Sequence, residues 1–161
     1  MTNPPVRRPD DVFYFAYGSN LDVEQKEFRT GPIRESLRCH LRGFRFAFNK
    51  QGEDDQVFAN IVPDEAAVVW GVVYRCTPDT LNRMDRYEGV GGGHYVRSEV
   101  RVLCDSGEEV NAVTYVAGSK FLCTGRYPRL EYVHRVVNGA QHHRLPEDYV
   151  REIQRAGGVE T

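Results

Sequence analysis

Apolar side chains that recur with a period of two constrain this chain most strongly, because they restrict its core to β-strands. In Leu37–Phe48, apolar residues alternate with polar ones on both sides of a glycine. Val12–Tyr17 (VFYFAY) and Ala67–Arg75 (AVVWGVVYR) are nearly continuous runs of aromatic and β-branched residues, which predicts buried strands. Gly71, in the middle of the second run, predicts a bulge or a close approach of another backbone.

Further strands follow from the same reasoning. Val57–Val62 has strand character, and Tyr95–Leu103 pairs with Glu109–Val116 around the turn at Asp105–Gly107. The pattern predicts about six or seven mostly antiparallel strands. Strands this short are expected to curl into a small barrel, because closure removes exposed edges. With the helices below, the fold class is α+β.

Helix signals lie between and after the strands. Thr77 and Pro78 predict a helix start, with threonine as the N-cap and proline in the first turn, and this helix runs to about Glu88 before Gly89. Three further short helices are predicted, at 22–28, at 129–138 and from Pro146 onward.

The charge balance and length exclude several classes of function. Lys and Arg total 21 and Asp and Glu total 23, whereas binding to a phosphate backbone needs a basic surplus. No apolar stretch is long enough to cross a bilayer, and the N-terminus lacks the apolar segment of a secretory signal. The chain is interpreted as one cytoplasmic domain over residues 12–156, with a disordered tail at 1–11 and a flexible tail at 157–161.

The four cysteines do not have the spacing of a metal site. Cys39, Cys76, Cys104 and Cys123 are widely separated, with no CxxC or CxxH pair. We therefore expect free thiols in or near strands and no bound metal.

Glu88 is the strongest candidate for catalysis. It follows Leu81 by seven residues and Met84 by four, which places all three on one apolar helix face. Loss of solvation there raises the pKa of a carboxyl, and the negative end of the helix dipole acts in the same direction. A glutamate whose pKa is raised from about 4.3 toward about 6–7 is a usable general base near neutral pH. The alternative is a solvated carboxylate at a fraying helix end.

The turn Tyr17-Gly18-Ser19-Asn20 is the second candidate site, because it directly follows a buried strand. Backbone N–H groups that converge in such a turn bind a carboxylate or stabilise an oxyanion. The side chains of Ser19 and Asn20 add hydrogen bonds. The turn lacks the glycines and the lysine of the known phosphate-binding loops, and an ordinary turn is the alternative.

Other catalytic arrangements are less favoured. No GxSxG motif supports a serine hydrolase, and Cys39 and His40 lie on opposite strand faces, so they cannot form a nucleophile pair. His94 lies in the glycine-rich loop close to Glu88, which makes it the histidine nearest the candidate site.

Several segments together resemble the γ-glutamylcyclotransferase family. They are YFAYGSNL (14–21), VWGVVY (69–74), LNRMDRYEGV (81–90), HYVRSEV (94–100) and LPEDYV (145–150), and they span nearly the whole predicted domain. A YGSN motif followed about seventy residues later by an EGV-type acid motif is specific to this family. The YGSN spelling is more similar to γ-glutamylcyclotransferases proper than to the YGTL branch, which is similar to γ-glutamylamine cyclotransferases.

The resemblance implies a fold, a reaction and a set of site residues. It implies a small mixed, mostly antiparallel barrel with flanking helices, Glu88 as catalytic acid and base, and Tyr17, Gly18, Ser19, Asn20 and Leu21 as the loop that cradles the substrate. Tyr132 corresponds to a tyrosine that contacts substrate. The implied reaction closes a γ-glutamyl group to 5-oxoproline and releases an amine, with no cofactor, metal or covalent nucleophile.

The identity of the released group stays open at this stage. The Gly118–Pro128 loop carries Lys120, Phe121, Arg126 and Tyr127, which are expected on the leaving-group side, where a cation would meet a carboxylate; loop charges facing water are the alternative. The alternatives in function are removal of a γ-glutamyl protecting group from a carrier-bound or antibiotic intermediate, and a non-catalytic binding module. The expected partner is a small γ-glutamyl compound, with no nucleic acid and no membrane. The oligomeric state is open, a homodimer being one option.

Overall fold

The structure, a computed structural model, describes residues 6–159. Five strands and four α-helices are found in this part of the chain. In chain order they are β1 (Val12–Ala16), α1 (Val23–Thr30), β2 (Ser36–Gln51), β3 (Val57–Cys76), α2 (Pro78–Tyr87), β4 (Tyr95–Cys104), β5 (Glu109–Ala117), α3 (Leu130–His142) and α4 (Glu147–Ala156).

The strands close into a mixed barrel in the order β1-β3-β2-β4-β5. The contact between β1 and β5 is parallel, with Tyr14 opposite Val113, and the other strand pairs are antiparallel. The barrel interior is apolar and continues into the contacts with the helices, where Val133 and Ile153 are fully buried. The expected α+β class and the mostly antiparallel barrel are therefore confirmed.

The prediction of six or seven strands is wrong, because segments that were counted separately form single long strands. In β2 the pairing with β3 continues past Gly43, where the register shifts between Arg42 and Phe44 and the glycine has a φ of +88°. In β3 the residues between the two predicted strands stay extended, with Pro63 opposite Phe44. Residues 63–66, in the middle of β3, are largely exposed and include two acids. Apolar patterns alone therefore do not show that β3 is one continuous strand.

Gly71 marks a close approach of two backbones. A Cβ atom built at this position would lie 2.2 Å from the carbonyl oxygen of Ala16. Because Ala16 immediately precedes Tyr17, the fit at Gly71 also sets the position from which the chain enters the turn at 17–20. Of the two options that the sequence leaves open, the close approach is confirmed.

Helix α2 begins and ends where the sequence predicts. The Thr77 side chain accepts a hydrogen bond from the Thr80 N–H, with Pro78 as the first helical residue. Leu81 and Met84 are buried against the barrel. The helix ends at Tyr87, so Glu88 is its C-cap and the first residue beyond its apolar face.

The N-terminal segment differs from the predicted disordered tail over residues 6–11. Arg75 is buried and forms ion pairs with Asp11 at 2.6 Å and with Glu35 at 3.1 Å. Breaking such a buried pair leaves an uncompensated charge, so the segment is held against the barrel. Residues 1–5 of the predicted tail lie outside the described part of the chain.

The C-terminal segment continues from α4 as a hydrogen-bonded turn. The Gly157 N–H donates to the Ile153 carbonyl at 2.9 Å, and the Val159 N–H donates to the Gln154 carbonyl at 2.8 Å. Residues 160–161 of the predicted tail are outside the described range, and the domain limits stay a prediction. No helix within residues 6–159 has the length and apolar character needed to cross a membrane.

Candidate active site

Two adjoining cavities open beside the turn at 17–20. The outer cavity has a volume of about 550 Å³ and the inner cavity a volume of about 30 Å³. Four residues line both, namely Ser19, Glu88, Tyr95 and Tyr132. The inner volume is on the scale of one or two water molecules, so it suits a small group such as a carboxylate or an oxyanion.

Glu88 lies at the junction of the two cavities, half-buried. Its N–H donates to the Met84 carbonyl at 3.0 Å, which fixes its backbone at the end of α2. Burial raises the pKa of Glu88 from its ordinary 4.5 to about 7, against the opposing attraction of Arg29 and Lys50. The carboxyl therefore populates both protonation states near neutral pH.

Asn20 connects the turn to Glu88. Its side-chain amide donates to the Glu88 Oε1 at 3.2 Å and to the Tyr14 hydroxyl at 2.8 Å. Its side-chain oxygen accepts from Gln25 at 3.1 Å and from Arg29 at 3.2 Å. The Asn20 side chain thus links the carboxyl of Glu88 to Tyr14 and to α1.

The turn forms one short 3₁₀ segment over Ser19–Leu21. Within residues 6–159, the N–H groups of Ser19 and Asn20 have no hydrogen-bond acceptor. Both residues, like Gly18, line the inner cavity. A Cβ atom at Gly18 would lie 3.2 Å from the Ala59 Cβ, so the glycine allows the turn to lie close to β3. The turn therefore offers backbone donors beside a small cavity, as an anion-binding turn does.

Leu21 and Tyr17 belong to the loop that the resemblance assigns to the substrate, but their contacts differ from those of the other three residues. Leu21 lines neither cavity, because its apolar side chain is fully buried against Gly139 of α3. Tyr17 lines only the inner cavity, and its hydroxyl donates to the Tyr115 carbonyl. The Leu21 side chain therefore has no exposed surface on either cavity, and its place in the cradle stays a prediction.

Tyr132 and Tyr95 face each other across Ala59 of β3. The Ala59 N–H donates to the Tyr132 hydroxyl at 3.1 Å, and the Tyr95 hydroxyl donates to the Ala59 carbonyl at 2.6 Å. Burial raises the pKa of Tyr132 to about 12, so its hydroxyl stays neutral at physiological pH. The two phenols line both cavities and so border the passage between them.

The Gly118–Pro128 loop does not line either cavity, which agrees with the alternative in which its side chains do not face the leaving group. Phe121 stacks on the ring of His94, with 4.0 Å between ring centroids. Arg126 pairs with Asp55 at 3.1 Å, and Tyr127 packs beside Gly158. These packing and ion-pair contacts fix Phe121, Arg126 and Tyr127 in positions outside the lining of both cavities.

The cations at the outer cavity come from elsewhere in the chain, and sequence reasoning missed all of them. They are Arg29, Lys50, Arg86, Arg129 and Arg135. Lys50 lies in β2 and the arginines lie in or beside α1, α2 and α3, so the five meet only where these helices pack around one end of the barrel, which no local pattern reveals. His94, singled out for its closeness to Glu88 in the sequence, does line this cavity.

The described residues provide no evident metal site. No group of three or more His, Cys, Asp or Glu side chains among residues 6–159 is arranged to hold a metal ion. The groups that meet at the cavities are instead a carboxyl, two phenols, backbone N–H groups and cations. Such a set binds anions and moves protons.

Comparisons with known proteins agree with this architecture. Residues 68–153 match the AIG2-like family. The chain is 31% identical to gamma-glutamylcyclotransferase of Homo sapiens over 92% of its own length and 81% of the relative's, and 30% identical to that of Bos taurus over 89% and 78%. A solved gamma-glutamyl cyclotransferase superposes with a TM-score of 0.78 at 27% identity, covering 89% of this chain and 86% of that one. The chain therefore belongs to the γ-glutamylcyclotransferase family of AIG2-like proteins.

Proposed function

We propose that this protein is a γ-glutamylcyclotransferase in which Glu88 is the general acid and base. The observation that carries the proposal is the position of Glu88, half-buried between the two cavities and hydrogen-bonded to Asn20 of the turn, with a pKa of about 7. The names of the relatives support the same reaction.

The reaction is an intramolecular acyl transfer. The α-amine of a γ-glutamyl group attacks its own γ-carbonyl carbon, a new C–N bond closes the five-membered ring, and the original amide C–N bond breaks. Glu88, as carboxylate, removes a proton from the α-ammonium, and as carboxylic acid it returns that proton to the departing nitrogen. The second proton that the attacking nitrogen loses as it becomes the ring amide is passed in the same way, so the amine departs as an ammonium ion. A pKa near neutrality serves both steps.

The fixed geometry of the site accounts for the rest of the acceleration. Nucleophile and carbonyl belong to one molecule, so holding the glutamyl chain in a ring-closing conformation gives a high effective concentration. We assign the free N–H groups of Ser19 and Asn20 to the α-carboxylate or to the developing oxyanion. The hydroxyls of Tyr95 and Tyr132 border the same passage, and we assign Tyr132 to substrate contact.

The outer cavity accepts the leaving group in this proposal. It joins the inner cavity at Glu88, so the nitrogen that departs lies beside the carboxyl that protonates it.

The cytoplasmic location and a homodimer remain predictions. The four cysteines carry free thiols, which supports a reducing compartment.

A panel of γ-glutamyl compounds assayed for 5-oxoproline tests the function. The panel contains γ-glutamyl amino acids, γ-glutamyl amines and a γ-glutamylated carrier peptide. We expect stoichiometric release of 5-oxoproline and free amine from at least one small compound. Tight binding of one compound without any 5-oxoproline would instead favour the binding module, and activity confined to the carrier peptide would favour the protecting-group alternative.

A further inference from the structure

Cys39 and Cys104 lie directly opposite each other on the neighbouring antiparallel strands β2 and β4. The two residues are only 0% and 3% exposed, and opposed residues of an antiparallel pair share one face of the sheet. The two thiols therefore face each other in the apolar interior of the barrel. Neither residue lines the two cavities, so the proposed function does not use them.

The hydrogen bonds between these strands determine how close the cysteines are. The Asp105 N–H donates to the Arg38 carbonyl at 3.1 Å, which makes Arg38 and Asp105 a hydrogen-bonded pair. Hydrogen-bonded and non-hydrogen-bonded pairs alternate along an antiparallel ladder, so the adjacent pair, Cys39 and Cys104, is of the second kind, with Cα atoms about 4.5 Å apart. Disulfides join Cα atoms that are about 4.4–6.8 Å apart, so a bond between the two sulfurs fits this position.

The contact between β2 and β4 is short, which gives a covalent link there a large effect. Within residues 6–159, the register of the two strands contains the cysteine pair and His40 opposite Leu103. The ion pair between Arg38 and Asp105 lies beside them, but both of its side chains are exposed, and exposed ion pairs contribute little to stability. A link between the cysteines would therefore strengthen a part of the barrel that few interactions hold.

The other two cysteines lie in different surroundings. Cys76 is opposite Val12 of β1, and Cys123 is half-buried in the loop that follows β5. The geometry therefore favours one pairing within the chain.

We infer that Cys39 and Cys104 form an oxidation site, at which a low-molecular-weight disulfide converts the two thiols into a reversible cross-strand disulfide between β2 and β4. The inference does not rest on the proposed function. Cys104 is the last residue of β4 and precedes the exposed turn at Asp105–Gly107, so local opening of this turn would expose its sulfur first.

The exchange takes place in two steps. The Cys104 thiolate attacks one sulfur of the small disulfide, which forms a mixed disulfide and releases one small thiol. Cys39 then attacks the Cys104 sulfur and releases the second small thiol. The protein loses two hydrogen atoms and two electrons, and the small disulfide gains them as it becomes two thiols.

The protonation of the cysteines makes this reaction slow. Burial raises the pKa of both thiols, and for Cys39 the neighbouring Cys104 thiol raises it further. Thiolates are the reacting species and are scarce near neutral pH under these conditions. The pair is therefore expected to stay reduced until an oxidant accumulates.

Oxidation of the folded Cys123→Ser variant with bis(hydroxyethyl) disulfide tests the inference. Removal of the half-buried Cys123 thiol prevents cross-links between chains and leaves three of the four cysteines. We expect peptide mass spectrometry to find residues 39 and 104 linked, and two of the three thiols to be lost. The Tm should rise by about 5–15 °C, because the link restricts the unfolded chain, and dithiothreitol should reverse both changes.

Two further variants in the same background separate this pair from the remaining thiol. Cys104→Ser should keep its thiols and show no rise in Tm. Cys76→Ala is the matched control, because it removes a buried thiol that is opposite Val12, and it should form the link and show the rise.

Three results would overturn the inference. They are a full count of thiols after oxidation of the folded protein, a link that involves Cys76, and a link between residues 39 and 104 that leaves the Tm unchanged. None of these measurements depends on release of 5-oxoproline, so the inference and the proposed function can fail separately.

Discussion

A Glu88→Gln variant is expected to lose turnover of γ-glutamyl substrates by about 10²- to 10⁴-fold, the usual contribution of a general acid and base. The amide matches the carboxyl in shape, but it neither accepts the α-ammonium proton nor donates one to the leaving nitrogen. The loss should be in kcat more than in KM, because the inner cavity and the turn are unchanged. The measurement is the rate of 5-oxoproline release at saturating substrate.

Stability provides the control for this variant. In the folded protein the pKa of Glu88 is about 7 against an ordinary 4.5, so folding stability falls as the pH rises from about 4.5 to 7 and the penalty is constant above that range. Glutamine does not ionise and avoids this penalty. Glu88→Gln should therefore match the wild type near pH 4 and exceed it at pH 8 by up to about 3 kcal/mol. A folded variant with near-wild-type release of 5-oxoproline would refute the role of Glu88.

Gly71→Ala is expected to destabilise the fold by about 3 kcal/mol or more, although alanine adds only one methyl group. The added carbon would lie 2.2 Å from the Ala16 carbonyl oxygen and 2.9 Å from the ring of Phe15. Backbone cannot rotate away as a flexible side chain does, so β1 and β3 must separate. The free energy of unfolding, measured with a chemical denaturant, checks this expectation.

Gly91→Ala is the matched control, because a Cβ at Gly91 meets nothing within 4 Å. Its unfolding free energy should stay within about 0.5 kcal/mol of the wild type, as for most surface changes. Displacement of β1 would also move Tyr17 and the turn, so Gly71→Ala should lose activity along with stability. A variant as stable as Gly91→Ala would contradict the close packing of β1 on β3.

The strands show how far the sequence predicts the fold. Apolar alternation and nearly continuous apolar runs together located part of every strand, since each strand places at least one face in the core. It did not reveal that Leu37–Phe48 belongs to a strand extending to Gln51, or that β3 is continuous, because residues 49–51 and the largely exposed residues 63–66 lack the apolar alternation of a core-facing strand. Gly71 is an exception, because a glycine inside an apolar run indicated a close approach of another backbone, and this contact forms only in the folded chain.

The residues of the candidate site also differ in whether the sequence predicts them. Glu88 was predictable because its helical spacing from Leu81 and Met84 places it beside the core. Tyr132 came only from the family resemblance. Lys50 was not predictable, because a lysine at the end of an apolar run is usually solvated. Its burial depends on Phe58 and Phe121, which are close to it only in the folded chain.

Direct titration of Glu88 tests the central claim, that a half-buried carboxyl between the two cavities exchanges protons near neutral pH. In protein labelled with ¹³C at the glutamate carboxyls, the resonance that is missing from Glu88→Gln belongs to Glu88. We predict that this resonance titrates with a pKa of about 7, while solvated glutamates titrate near their ordinary value. A midpoint close to 4.5 would show a fully solvated carboxylate and would contradict the account.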